Sequence, residues 1–273
     1  MDETSVKQLA QSASTRKLRY LFPFTTYVKS DRSFSPSYSH ATEFVSQFRR
    51  FNQETLLLAW IGIPLKWVDL ADKSTRQEII TFVLQLLQEA QFDGIHLDVE
   101  AILNNNASYL IFLEEMRSAL GPRYIISIAG SQWLPSYLDK LPQINDGQLM
   151  WDNEYYQAVA DQVDQIAVMA YDSFQSYPAV YRLWLREQAR GLNSSLLESG
   201  VELLIGISVS REYTPSHDPL SENMQNGLAG VCAGLPALKQ NKIQGIAIYA
   251  SWEADQADWR FWDEWIDTPL DGE

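Results

Sequence analysis

The alternation of short apolar segments with longer amphipathic ones is the feature that most constrains how this chain folds. Seven segments rich in Ile, Leu, Val and Tyr are predicted to be buried β-strands. They span residues 18–28, 55–63, 92–100, 124–129, 163–171, 201–208 and 243–250. Segments with apolar residues at helical spacing lie between or after them, at residues 78–90, 109–120, 155–163, 184–199 and 254–265. Repeated strand–helix units predict a parallel sheet with right-handed crossovers.

The length of the chain suits one barrel. Its 273 residues are close to the roughly 250 that a TIM-type (β/α)8 barrel needs, so we predict a single α/β domain over residues 1–273. A closed barrel has eight strands, one more than the sequence predicts. Residues 1–15 carry apolar side chains at helical spacing, and a helix in this place indicates that the first barrel strand is missing upstream. The opening residues, MDETSVKQ, do not resemble a signal peptide, so export is expected only if the N-terminus is incomplete.

Charge and composition narrow the class of ligand. The net charge of −14 repels phosphate backbones and anionic lipids, so we predict no nucleic-acid partner. No apolar run reaches the roughly 18 residues of a membrane span. Aromatic residues make up 12% of the chain, with nine Trp, and their rings stack on the apolar faces of sugars, which favours a carbohydrate. One Cys and three His lack the paired spacing of a zinc site, so we predict no disulfide, no metal and no cofactor.

The segment FDGIHLDVE, residues 92–100, is the most informative one. Because strand side chains alternate, His96, Asp98 and Glu100 share one face and the apolar residues between them share the other. The polar face is expected at the carboxyl ends of the strands, where such barrels have their active sites. Repulsion between two neighbouring carboxylates raises the pKa of at least one of them, and a carboxyl that keeps its proton near neutral pH can act as a general acid. A metal site formed by these three residues is the competing interpretation, although no second His-rich strand adds ligands.

Three motifs resemble glycoside hydrolase family 18, the chitinase family. DGIHLDVE, at residues 93–100, is similar to its fourth-strand signature Asp-x-x-Asp-x-Asp-x-Glu, with His96 in place of one Asp. MAYD, at 169–172, resembles the sixth-strand motif Met-x-Tyr-Asp. GIAIYASWEAD, at 245–255, resembles the end of the eighth strand, with Tyr249 where a Trp usually lies under the sugar. The resemblance implies a divergent chitinase-like enzyme.

The resemblance also implies roles for these residues. Glu100 would be the general acid, and Asp98 would orient the substrate's acetamido group, whose oxygen attacks the anomeric carbon in this family. Tyr171 would hydrogen-bond that oxygen, and Asp172 would bind near the reacting sugar. His96 is expected to hydrogen-bond Asp98 as a neutral donor or as a cation.

Other residues are assigned by their position in the sequence. Asp93 is an odd number of positions from Asp98, so in a strand its side chain would lie on the opposite face, and it is expected to be structural. Trp60 and Trp252 are the preferred sugar-stacking residues, and Tyr249 is expected to bind substrate. The loop 211–224 follows a strand and is expected to be a solvated loop, in which Arg211, His217 and Glu222 are further candidates for ligand contact.

The predicted function is hydrolysis of β-linked glycans that contain N-acetylglucosamine, so the expected partner is an oligo- or polysaccharide. A non-catalytic, lectin-like barrel of the same family is one alternative, although such members typically lose the Glu acid. A hydrolase of a glycan without acetamido groups is another, since His96 and Tyr249 depart from the family pattern. A metal-dependent barrel enzyme is the third.

Overall fold

A computed structural model describes residues 2–35, 40–135, 149–235 and 241–266. The chain divides into two compact units. Unit 1 consists of Met1–Ile102, Asn106–Ala129 and Gln162–Asp164, and unit 2 consists of Leu103–Asn105, Gly130–Asp161 and Gln165–Glu273. Within the described ranges, no helix has the length and apolar character that crossing a lipid bilayer requires.

Unit 1 contains a mostly parallel set of strands with helices between them. Its elements are α1 (Glu3–Thr15), β1 (Tyr20–Leu21), β2 (Phe24–Val28), β3 (Phe34–Ser35), α2 (Ala41–Arg49), β4 (Leu56–Pro64), α3 (Lys73–Ala90), β5 (Gly94–Glu100), α4 (Ala107–Leu120), a 3₁₀ turn (Gly121–Arg123) and β6 (Ile125–Gly130), whose last residue belongs to unit 2. The strand order is β3-β2-β4-β5-β6, with β1 also paired to β4. All pairs are parallel except β2 with β3.

The start of the chain agrees with the sequence in one respect and differs in another. The predicted N-terminal helix is confirmed as α1, and residues 2–17 contain no strand. The segment predicted as one strand, 18–28, forms two short strands, β1 and β2, which both pair with β4. The break falls at Phe22 and Pro23, because proline has no N–H to donate to a ladder. The missing first strand and the single domain stay predictions.

Two Asp–Arg pairs anchor strands of unit 1. Asp93, just before β5, accepts a hydrogen bond from the Leu57 amide at 2.7 Å and pairs with Arg49 at the end of α2. In the same way Asp164 accepts from the Ile126 amide at 2.8 Å and pairs with Arg117 of α4 at 2.5 Å. Each carboxylate therefore joins a helix to the neighbouring strand. These contacts give Asp93 the surroundings of a structural residue.

Unit 2 repeats the strand–helix pattern. Its elements are α5 (Asn153–Ala160), β7 (Gln165–Met169), α6 (Pro178–Leu196), β8 (Glu202–Ser208), α7 (Met224–Gly234), β9 (Ile243–Tyr249) and α8 (Gln256–Ile266). Strands β7, β8 and β9 are parallel and lie in that order. The predicted C-terminal helix is confirmed as α8, in which Trp262 is buried and Trp265 Nε1 donates to Cys232 Sγ of α7 at 2.8 Å.

Helix α7 was missed in the sequence, as was α2. Three glycines in α7 weaken its helical pattern, since glycine is a poor helix former. A Cβ added at Gly230 would lie 2.9 Å from the Leu185 Cβ, and one at Gly227 would lie 2.9 Å from the Ile207 side chain. The glycines therefore allow α7 to pack closely against α6 and β8, and this tertiary contact outweighs the low helix propensity.

Candidate active site

The polar face of β5 has the predicted alternation. Ile95, Leu97 and Val99 are buried on the apolar face. On the other face His96 is buried, Asp98 is partly buried, and Glu100 is exposed at the carboxyl end of the strand. The register with β4 pairs Trp60 with His96 and Gly62 with Asp98. Parallel pairing in this register brings the Trp60 ring beside the Asp98 carboxylate.

Asp98 is held by Trp60, whose Nε1 donates to Oδ2 at 3.0 Å. The pKa of Asp98 is raised, first because burial disfavours the charged carboxylate, while hydrogen bonds with Trp60 and Glu100 act in the opposite direction. The other oxygen, Oδ1, is buried and accepts from no N–H or O–H group of the described residues. Asp98 and Glu100 are two positions apart on the same face of β5, and the interaction between their carboxyls affects the pKa of Asp98. Two neighbouring carboxyls of this kind are suited to acid–base catalysis.

His96 has surroundings different from those expected. Its Nδ1 hydrogen-bonds the Ser127 hydroxyl of β6 at 2.8 Å, and its ring stacks on Phe22 with centroids 4.3 Å apart. Burial lowers the pKa of His96 to about 3. The bond from His96 to Asp98 considered above does not form within the described structure, and His96 is neutral at pH 7. It therefore supplies no positive charge to Asp98.

Two aromatic residues beside Trp60 were not predicted. The Phe24 ring meets the Trp60 ring edge-on, with centroids 5.2 Å apart, and stacks on Tyr27 at 6.2 Å. Both Phe24 and Tyr27 are exposed. They are three positions apart, so strict alternation separates them, but the pairing of β2 with β4 shifts between Phe24 and Thr26 and turns both outward. Trp60, Phe24 and Tyr27 thus form a partly exposed aromatic row that begins at Asp98.

A second group of predicted residues comes together in unit 2. The Tyr171 and Tyr249 rings stack with centroids 5.2 Å apart and an interplanar angle of 10°. Trp252 meets Tyr249 edge-on at 6.1 Å and is 66% exposed. Gln132 Nε2 donates to the Tyr171 carbonyl at 2.6 Å. These contacts create an exposed aromatic surface of the kind that sugar rings stack on.

Asp172 follows Tyr171 in a left-handed turn, at φ +54°. The amides of Asp172 and Ser173 donate to Glu222 at 2.7 and 2.8 Å, and the Ser173 hydroxyl donates to it at 2.6 Å. His217 Nδ1 lies 3.0 Å from Glu222 Oε2 and 3.5 Å from Asp172 Oδ1. The pKa of Asp172 is raised by burial and by the Glu222 charge, and His217 partly offsets this.

His217 and Glu222 correct the prediction of a solvated loop, because His217 is 3% exposed and Glu222 is 0% exposed. One carboxylate or imidazole atom from each of Asp172, His217 and Glu222 lies within 4.8 Å of the others. These are donor types that divalent cations accept. However, both Glu222 oxygens already accept hydrogen bonds, four in total. We assign no metal to this cluster.

Three other tryptophans and the candidate Arg211 make contacts with the rest of the fold. The Trp133 ring lies against Gly191, its Nε1 donates to Asn153 at 2.7 Å, and Trp151 is fully buried. Trp67 donates to the Val28 carbonyl at 3.0 Å. Arg211 pairs with two Asp carboxylates next to or in α8, Asp255 and Asp258.

Comparison with solved structures identifies the fold class. A chitinase from Chromobacterium violaceum ATCC 12472 aligns with a TM-score of 0.67 and 11% identity over 96% of this chain and 95% of that one. A class V chitinase from Pseudomonas fluorescens Pf-5 aligns with a TM-score of 0.64 and 15% identity over 97% and 98%. The spore cortex-lytic enzyme SleL of Bacillus cereus aligns with a TM-score of 0.63 and 14% identity over 95% and 70%. The predicted α/β fold of TIM-barrel type is thus confirmed.

The family is shown by the sequence itself. Residues 5–258 match the family described as Glycosyl hydrolases family 18. The chain therefore belongs to glycosyl hydrolases family 18, as its three motifs indicated. A search of curated proteins gave no match.

Proposed function

We propose that this protein is a chitinase-like glycoside hydrolase that cleaves β-linked glycans containing N-acetylglucosamine, with retention of configuration and with the substrate's acetamido group as nucleophile. The observation that carries the proposal is the pair on β5. Asp98 is partly buried and fixed by Trp60, and Glu100 ends the strand in an exposed position. The chitinases of similar fold support the same substrate class.

In this mechanism Glu100 protonates the leaving oxygen and later takes a proton from water. Asp98 accepts the acetamido N–H through Oδ1, the oxygen that has no N–H or O–H donor among the described residues. Trp60 keeps Oδ2 occupied, so only one Asp98 oxygen is offered to the substrate. A negative Asp98 then stabilises the positive oxazolinium intermediate.

The residues of unit 2 complete the proposal through the family resemblance. Tyr171 would hydrogen-bond the attacking acetamido oxygen, and Asp172 would bind near the reacting sugar. Tyr249 and Trp252, which are both exposed, would stack on sugar rings. His96 is neutral and bonded to Ser127, so its role would be to pack beneath Asp98 rather than to charge it.

The Glu100→Gln variant tests the proposal. It keeps the shape of the side chain and removes the proton donor, and general acid–base catalysis is worth roughly 10²- to 10⁴-fold. We expect at least about a hundredfold lower turnover of an unactivated chitin oligosaccharide, with folding intact. Glu114→Gln makes the same charge change at an exposed position of α4 and should leave turnover unaltered. Turnover of Glu100→Gln equal to that of wild type would refute the assignment.

The nucleophile is tested separately. A thiazoline mimic of the cyclised intermediate should inhibit turnover and bind far more tightly than the substrate, because ligands that resemble the transition state bind more tightly than substrates do. A glycosyl ester trapped on Asp98 or Glu100 would instead identify an enzyme nucleophile. Such a result would favour the second candidate, a hydrolase of a glycan without acetamido groups, to which the exposed Tyr249 in the usual Trp position also points.

A further inference from the structure

The buried imidazole of His217 faces hydrogen-bond acceptors on both sides. Nδ1 lies 3.0 Å from the Glu222 carboxylate, and Nε2 lies 3.2 Å from the Ser210 carbonyl. A neutral imidazole has one N–H, so it can satisfy only one of these acceptors, whereas an imidazolium satisfies both. Asp172 Oδ1, at 3.5 Å from Nδ1, is a second anion on the same side. The geometry therefore favours a positively charged His217.

Glu222 connects this charge to the main chain after Tyr171. Its Oε1 accepts the Ser173 amide and hydroxyl, and its Oε2 accepts the Asp172 amide and His217. Asp172 has a φ of +54°, a conformation that is unfavourable for a residue with a Cβ and persists only where its surroundings enforce it. On the other side of this turn, Gln132 holds the Tyr171 carbonyl. The side chains of Glu222 and Gln132 thus fix the backbone of both proposed substrate-binding residues.

Within the described structure, the charged groups that face His217 are two carboxylates, Asp172 in the turn and Glu222 in the loop before α7. Tyr181 of α6 is fully buried, and its pKa is raised well above its usual value by burial and by the same two carboxylates. If His217 lost one proton, the two carboxylates would keep the other on Nδ1, so the Nε2 lone pair would face the Ser210 carbonyl, and Asp172 and Glu222 would be left without a cation beside them. Repulsion would then act directly on Asp172 and, through Glu222, on its backbone.

We propose that His217 and Glu222 are positioning residues that hold Tyr171 and Asp172 in the geometry that binds substrate, and that substrate binding weakens when His217 loses its proton. This inference rests on the proposed function, in which Tyr171 and Asp172 contact the sugar. His217 and Glu222 act through the turn and do not touch the substrate.

The first test replaces the carboxylate. Glu222→Gln puts an amide NH₂ group against N–H donors, and hydrogen bonds to charged groups carry enough energy for an effect of roughly tenfold or more. We expect the amide protons of Asp172 and Ser173 to exchange at least about tenfold faster and kcat/KM to fall by a similar factor. Ser221→Ala is the matched control, because Ser221 is fully buried next to Glu222 and its hydroxyl has no hydrogen-bond partner in the described structure. It should change neither quantity. Unchanged amide exchange in Glu222→Gln would overturn the proposal.

The second test isolates the proton of His217 and applies even if Glu222→Gln fails to fold. Binding of chitotetraose is measured against pH in the Glu100→Gln background, where the general acid no longer titrates. We expect affinity to fall several-fold as His217 deprotonates, with the midpoint matching its NMR titration, and to stay level with pH when His217→Gln is added. Parallel pH profiles in the two proteins would overturn the proposal.

The failure of this inference differs from failure of the proposed function. If neither wild type nor Glu100→Gln binds chitotetraose, the proposed function fails. The positioning role is then decided by amide exchange at Asp172 and Ser173 and by the charge of His217 at pH 7. A neutral His217 at that pH, or unaltered exchange in Glu222→Gln, would overturn it; a charged His217 with accelerated exchange would support it.

Discussion

The chain has two buried histidines in regions of opposite electrostatic character. His96, in β5, lies against a hydroxyl group and aromatic rings, and burial lowers its pKa to about 3. His217, in the loop after β8, lies against two carboxylates and a carbonyl, and its hydrogen bond to Glu222 raises its pKa despite burial. The two residues are almost equally buried, at 7% and 3% exposed.

The exposed fraction of a histidine therefore does not by itself decide its charge. Burial disfavours the imidazolium in both places. At His217 the anionic partners outweigh that effect, whereas at His96 nothing opposes it. His96 packs against aromatic rings and a hydroxyl, whereas the partners of His217 favour the imidazolium and lie in the turn that carries candidate substrate-binding residues.

The largest expected difference between the two regions is in stability. His217→Phe leaves the buried Glu222 carboxylate without its cation, and breaking a buried ion pair destabilises by about 3–5 kcal/mol. His96→Phe keeps a ring to stack on Phe22 and loses the Ser127 hydrogen bond, worth about 1 kcal/mol. Urea unfolding of both variants at pH 7 measures this. Equal losses would remove the electrostatic distinction between the two sites.

The second expected difference lies in the pH dependence of stability. The His96 pKa is lowered on folding, so its contribution is present above its unfolded pKa of 6.5 and is lost as pH falls from 6.5 towards about 3. The His217 pKa is raised, so its contribution is present below 6.5 and is lost as pH rises through the folded value.

Each histidine adds a slope of at most about 1.4 kcal/mol per pH unit to the free energy of unfolding. We expect His96→Phe to flatten the curve on the acid side only, and His217→Gln on the alkaline side only. Chemical denaturation at a series of pH values from about 4 to about 9 separates the two contributions, because this range covers the acid side and the alkaline side of the ordinary histidine pKa. A change on the wrong side in either variant would contradict the assigned direction of its pKa shift.

The smallest expected effect concerns the carboxylate next to His96. Trp60→Phe removes a hydrogen bond that lowers the pKa of Asp98, so this pKa should rise by up to about one unit. If Asp98 must be ionised for catalysis, the acid limb of the kcat/KM profile moves to higher pH. Trp67→Phe is the control, since it also loses an indole hydrogen bond, to the Val28 carbonyl. A shift of the same size in both variants would dissociate the effect from Asp98.

Much of the β5 site could be predicted because it depends on local geometry. Side chains alternate along a strand, so the common face of His96, Asp98 and Glu100 followed directly from their spacing. The odd spacing of Asp93 from these three residues likewise indicated that it does not share their face. Phe24 and Tyr27 were missed because a shift in strand pairing, which has no clear signal in the sequence, brings both to one side.

The turn at Asp172 could be predicted only in part. The motif at residues 169–172 indicated Tyr171 and Asp172. Glu222, which accepts hydrogen bonds from the Asp172 and Ser173 amides, lies 50 positions away from Asp172. The polar composition of its loop favoured solvent exposure, and nothing local opposed that expectation. Burial of a carboxylate becomes favourable only when its partners converge on it from distant parts of the chain.

The amino-acid pattern alone identifies the family, most of the strands and helices in their order, and the residues that share the polar face of β5, because these follow from short-range periodicity and from motifs. The folded chain was needed to show that burial lowers the pKa of His96, that the Glu222 carboxylate raises the pKa of His217, and that α7 packs through its glycines. Charge state and close packing depend on neighbours that are remote in sequence, and their energies appear only once those neighbours are in contact.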